Sequence, residues 1–260
     1  MSAQLPRAGP FSRSESLRPG GNLQWPRPAG TPPLPRRARS LYASAIMTDT
    51  PIPAPRALNL DGYTALPPGK NATVVTFLEM RAPPVPLAER AEEGFRLRHV
   101  TKPDTEWYRT LFRAIGEDWL WFSRARMDDA ALAAIIADPQ VEIYVLEREG
   151  AGGSERDLGL VELDFRQPGE AELAFFGVVP ALVGVGAGRF MINRANERAW
   201  SRGISRFFVH TCTNDHPGAL GFYRKAGFVP VAQSIEVVDD PRLTGALPRG
   251  AAPHIPIVGG

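Results

Sequence analysis

The chain has 260 residues, 43% of them apolar, and a single cysteine, Cys212. That is enough chain to bury a sizeable core, permits no intrachain disulfide and suggests no cysteine-based metal site, so no metal is expected. The formal charge of +2 hides a division: residues 1–46 carry seven arginines and one acid, Glu15, which leaves the rest at −4 with no basic nucleic-acid footprint.

No run reaches the 18 or so apolar residues of a membrane helix, so no membrane partner is expected and the chain reads as cytoplasmic. Residues 1–46 hold eight of the 26 prolines and no sustained apolar period. Such a segment cannot bury enough surface to offset its ordering entropy. Two readings stay open: a disordered Pro/Arg-rich tail, or an upstream extension of a chain that starts at Met47. Residues 47–93 form an N-terminal extension in which Thr73–Met80 reads as a strand by its β-branched and aromatic content. That strand is expected at a sheet edge or over a pocket, and Leu87–Glu93 has the length for two helical turns.

From Gly94 a longer alternation of elements begins and runs to about residue 240. Phe95–Val100 alternates with period two, as a half-buried strand does. Trp107, Leu111, Phe112 and Ile115 share a helical face that ends at Gly116, and Asp118–Ser123 is an aromatic loop. Asp128-Asp129 suits the N-terminus of a second helix, with Leu132, Ile135 and Ile136 on its buried side. Val141–Leu146 and Leu158–Phe165 read as a hairpin across the Gly-rich turn at 150–153. A strand from Glu172 to Val179, a helix at 189–202, a strand at 205–212, a helix at 217–225 and a closing strand at 228–238 follow. Residues 241–260 read as a Pro/Gly-rich C-terminal tail.

The organising stretch is Glu172–Arg189. A strand runs into Gly184, Gly186 and Gly188 and then into a helix. That order makes an anion site, because a helix N-terminus offers free N–H groups and a positive dipole end, and glycines let a phosphate approach the backbone. The G-x-G-x-G spacing is not the dinucleotide G-x-G-x-x-G, and no acid ends the next strand. Nor is it a P-loop, since Gly188 is followed by Arg189-Phe190 rather than Lys-Ser/Thr.

The stretch resembles the pyrophosphate loop of the GNAT superfamily of acyl-CoA-dependent N-acyltransferases, Gln/Arg-x-x-Gly-x-Gly/Ala at the start of a helix. Gly186 and Gly188 fill the small positions, and Val183 stands in the Gln/Arg slot. A second block, His216-Pro-Gly-Ala219-Leu-Gly-Phe-Tyr223-Arg-Lys-Ala-Gly227-Phe228, resembles the superfamily's Asn-x-x-Ala-x-x-x-Tyr-x-x-x-Gly-Phe, with His216 in the Asn slot. The resemblance covers roughly residues 94–238. It implies an α/β fold with a mixed, mostly antiparallel central sheet flanked by helices, here carrying an N-terminal strand extension.

The resemblance also implies acetyl-CoA as co-substrate, a small-molecule amine as acceptor, direct transfer, and a monomer or homodimer. Donor contacts would fall to Val178, Val179, Val183, Gly184, Val185, Gly186, Ala187, Gly188, Arg189, His216 and Tyr223. Tyr223 would face the departing sulfur. Glu172 holds the place of the general base in the histone-acetylating branch; Glu162 is a second candidate, and Asp215 with His216 a third. By alternation with Phe208 and Cys212, His210 reads as a core histidine, and Cys212 has no partner that would make it a nucleophile. Trp107, Trp119, Trp121 and Phe122 lie where the superfamily binds its acceptor; Trp107 reads as core. Two functions remain open: an N-acetyltransferase, or a degenerate domain that binds acyl-CoA as a sensor without turnover.

Overall fold

The computed structural model describes residues 58–59, 61–89, 94–150 and 153–259. The readings of residues 1–46 and of a start at Met47 lie outside these residues. Seven strands, β1 (Lys70–Met80), β2 (Phe95–His99), β3 (Val141–Gly150), β4 (Gly153–Asp164), β5 (Glu170–Val178), β6 (Arg206–Cys212) and β7 (Val229–Asp239), form one sheet in the order β2-β3-β4-β5-β6-β1-β7. All pairings are antiparallel except β5 with β6. A parallel neighbour needs a crossover, and a helix supplies it.

Four helices flank the sheet: α1 (Thr105–Gly116), α2 (Asp129–Ile136), α3 (Ala187–Ser201) and α4 (Ala219–Lys225). Asp104 caps α1 by accepting from the amides of Glu106 and Trp107, and Asp128 caps α2 by accepting from Ala131. The apolar stripe of α1 packs with α2 on one face of the sheet, over Ile143, Val145 and Leu160. The stripe differs from the expected one by a residue: Tyr108 is fully buried, while Trp107 is partly exposed and donates from its indole to Asp157 at 3.1 Å. Helices α3 and α4 cover the other face, with Met191, Ile192 and Tyr223 over Leu163, Leu173 and Phe207.

Two expectations are corrected. β1 is not at the edge; it lies between β6 and β7, and β7 is the outer strand. The reason is that β1 buries both sides of its pleat, Thr73 and Val75 on one, Leu78 and Met80 on the other, which a lone edge strand would not do. Residues 87–89 are not helical. Leu87 is instead held extended by Asn193 of α3, whose side chain accepts from its amide at 2.9 Å and donates to its carbonyl at 2.8 Å.

The C-terminal segment is part of the fold as well. Leu247, Ala251 and Ala252 pack on Leu120 of the α1–α2 loop. The buried Arg242 guanidinium pairs with Asp240 and donates to the carbonyls of Ala251, Ala252 and Ile255, so it gathers a chain stretch with no ladder of its own.

Candidate active site

The parallel pair β5–β6 is short. Its register covers only Glu170–Glu172 against Arg206–Phe208, yet β5 continues to Val178 and β6 to Cys212. Beyond Glu172 the two strands therefore part, opening a fork in the middle of the sheet. A bulge assists: Leu163 pairs with Leu173 and Glu162 with Phe175, so Ala174 is an extra residue in β5. Gly177, further along this arm, has no room for a side chain, since a Cβ there would stand 2.5 Å from Ile115 Cγ2 and 3.2 Å from the Trp121 ring.

Past the end of β5, Pro180–Leu182 makes a tight turn and Gly184 and Gly186 take φ of +84° and +105°. Those angles are costly for any residue with a side chain. Gly186 caps α3 without a side-chain hydrogen bond, and the first helical bonds run from Arg189 and Phe190 back to its carbonyl. Among the described residues the amides of 184–188 donate to nothing. Five adjacent N–H groups at a helix N-terminus are thus left without a partner, the kind of feature that suits an anion. The side chain of Val183, in the slot where an amide or guanidine was expected, is half exposed, and its amide is spent on Pro180. Val178 closes β5, and the amide of Val179 donates to Leu158.

Tyr223 approaches from α4. Its ring sits edge-on to Phe176 of β5, to Phe222 and to Phe228, and its hydroxyl has no hydrogen bond among the described residues. Burial, and then the charge of Asp215, push the phenol well above its usual range. It therefore stays protonated and keeps a hydrogen to donate. Gly227, at φ +105°, ends α4; Phe228 N–H reaches the Tyr223 carbonyl at 3.0 Å.

The opposite face of the fork is lined differently. Glu172 stands where the strands part, with Oε1 3.4 Å from Nδ1 of His210 on β6, an ion-pair distance. Asp215 lies at the open end of β6, accepting from Thr211 Oγ1 at 2.7 Å, from the Cys212 amide at 2.8 Å and from the Trp121 indole at 3.1 Å. Trp121 also packs on Phe175 of β5, so one side chain links the two arms. The sequence offered Asp215 and Trp121 separately; the link between them crosses 94 residues and has no local signature.

Glu162 is not available as a base. Its side chain is fully buried, one oxygen taken by Arg124 at 2.5 Å and the other by the Tyr108 hydroxyl. His216 is a turn residue, its Nδ1 accepting from Gly218 N–H at 2.9 Å and its ring edge-on to Trp119. Arg189, third in α3, sends its guanidinium toward the Ala88 carbonyl. Burial and the nearby Asp215 push the Cys212 thiol up to about 11, which makes a thiolate nucleophile there unfavourable. Among the described residues no three His, Cys, Asp or Glu cluster as a metal site, and no helix is long and apolar enough to cross a membrane.

The sheet thus forks beside a run of unpartnered backbone amides at the start of α3. Residues 105–228 match the acetyltransferase (GNAT) family. No curated protein sequence matches the chain. Among solved structures, it is similar to a GCN5-related N-acetyltransferase from Sphaerobacter thermophilus at 18% identity, over 66% of this chain and 53% of that one, TM-score 0.48. A functionally unknown conserved protein from Staphylococcus epidermidis is similar at 13%, over 66% and 63%, TM-score 0.45. A spermidine N-acetyltransferase from Vibrio cholerae, solved with CoA and spermine, is similar at 20%, over 58% and 98%, TM-score 0.44. The chain thus spans 53% and 63% of the lengths of the first two.

Proposed function

We propose that the domain transfers the acetyl group of acetyl-CoA directly to a primary amine of a small molecule, in the cytoplasm. The observation that carries this is the fork itself, with five unpartnered amides beyond one arm and a buried phenol of α4 packed against Phe176 of that arm. The amides of 184–188 would hold the pyrophosphate, with the dipole of α3 adding to their field. The thioester would then lie between β5 and β6, near the bulge at Ala174. Tyr223 donates a hydrogen bond to the sulfur as negative charge develops there, a contact stronger in the transition state than in the ground state. Glu172, at the base of the fork, belongs to the side of it on which the amine would lose its protons. Cys212 is held protonated, which favours direct transfer over an acyl-enzyme.

A panel of mono-, di- and polyamines incubated with acetyl-CoA tests this by the release of free thiol. Amine-dependent release supports the proposal. The sensor reading has one observation in its favour, the Trp121–Asp215 bridge across the two arms. Its signature is a melting shift with acetyl-CoA and no thiol release with any amine.

A further inference from the structure

We infer that the proton leaving the acceptor amine is taken by His210, and that Glu172 acts through this imidazole as its positioning partner. The inference rests on the acetyltransferase reading above and assigns within it a residue that the sequence had placed in the core.

The geometry carries it. His210 sits on β6 two residues beyond Phe208, the last partner of β5, so it is among the first residues of that strand inside the fork. Its side chain is part-exposed, and its ring tilts against Phe77 of β1 at 6.0 Å. Glu172 faces Nδ1 at 3.4 Å, while Nε2 has no partner among the described residues. A carboxylate on one ring nitrogen holds the proton there and leaves the other nitrogen to accept, which is the arrangement of a general base and its orienting acid. Glu172 alone would be a poorer base, because an ordinary carboxylate is about six units too acidic to deprotonate an ammonium.

The charges around the ring agree. Burial would lower the imidazole pKa, but Glu172 on β5, then Asp215 after β6 and Glu236 on β7, outweigh it and raise it. β1 contributes only Phe77, and Cys212, the next residue on this side of β6, is held neutral. The charge of Asp215 raises both the imidazole of His210 and the phenol of Tyr223.

Two protons must leave the nitrogen of an ammonium acceptor. The first passes to Nε2 and on to water, which frees the lone pair. The amine then adds to the thioester carbonyl, forming the C–N bond. As the adduct collapses and the C–S bond breaks, the second proton goes to Nε2. The thiolate, hydrogen-bonded to Tyr223, is protonated from solvent, and the imidazolium returns its proton there. The net products are the amide, the free thiol and one proton.

The test combines a titration with a rate profile on the full chain. The imidazole of His210 is followed by NMR against pH in the wild type and in Glu172→Gln. In parallel, kcat/KM is measured against pH for wild type, Glu172→Gln, Glu172→Asp and His210→Gln, using an amine that the wild type acetylates. Removing the carboxylate is expected to move the imidazole titration and the acid limb of the profile to lower pH together, and Glu172→Asp to restore part of both. His210→Gln should abolish that limb and lower kcat by about 10²-fold at an unchanged KM for acetyl-CoA. A His210→Gln enzyme that keeps the limb and turns over within about threefold of the parent overturns the assignment. An imidazole titration unmoved in Glu172→Gln overturns the pairing, whatever the rates. Absence of thiol release from the wild type with every amine overturns the acetyltransferase reading, and this base with it.

Discussion

The two faces of the fork are built by different means. On the α3/α4 face the unpartnered polar groups are backbone amides, fixed by glycine conformations and one helix start, together with the Tyr223 phenol of α4. On the α1/α2 face the polar groups are side chains, Glu172, His210, Asp215 and Trp121, drawn from two strands and two loops. A donor common to many reactions needs only a reproducible phosphate site, and backbone supplies that regardless of side-chain identity. An acceptor differs from enzyme to enzyme, and its recognition is left to side chains that can change independently of the fold.

The largest effect expected from breaking this comparison is on the backbone side. Gly186 at φ +105° cannot take a β-branched residue without rebuilding the turn, and the free amides would be re-aimed. Gly186→Val should remove acetyl-CoA binding by calorimetry, a loss of 100-fold or more equivalent to at least about 2.7 kcal/mol, with an unchanged far-ultraviolet spectrum. Unchanged affinity would take the pyrophosphate away from this loop.

Under the α1/α2 side lies a buried ion pair, Arg124 with Glu162, whose loss should affect stability alone. Arg124→Met leaves the Glu162 carboxylate buried with only the Tyr108 hydroxyl, a loss of about 3–5 kcal/mol in urea unfolding. The double variant Arg124→Met, Glu162→Gln should recover much of that, because no unpaired charge then remains. A double variant as unstable as the single one would mean that packing, not charge, sets the loss.

The smaller effect is on Tyr223. Tyr223→Phe keeps the ring among Phe176, Phe222 and Phe228 and removes only the donor. A fall in kcat of roughly 10- to 100-fold at an unchanged KM for acetyl-CoA is expected, the range for one hydrogen bond to a developing charge. A variant with normal turnover and a lower melting temperature would make the tyrosine structural.

The same division explains what could be read without coordinates. The glycine turn, the start of α3 and Tyr223 in its Gly-Phe frame are local patterns, and their elements stand within a few residues of expectation. The place of β1 was not legible, because Thr73–Met80 shows what the strand is made of and not which strands it will join. Arg242 was hidden in a Pro/Gly-rich segment whose order comes from one guanidinium and four acceptor residues. Alternation along β6 places His210 beside Phe208, and periodicity does not reveal that the neighbouring strand turns away two residues earlier. Glu162 looked as available as Glu172; only the buried partners Arg124 and Tyr108 separate them.

The division of labour is tested most directly by titrating acetyl-CoA into the ¹⁵N-labelled full chain and following backbone amides by NMR. The expected result is that the resonances of Gly184–Gly188 move most, with smaller changes along 173–178 and 219–223, while the Trp121 indole and its surroundings respond only when an amine is added. Saturable binding that leaves Gly184–Gly188 unmoved would contradict the account.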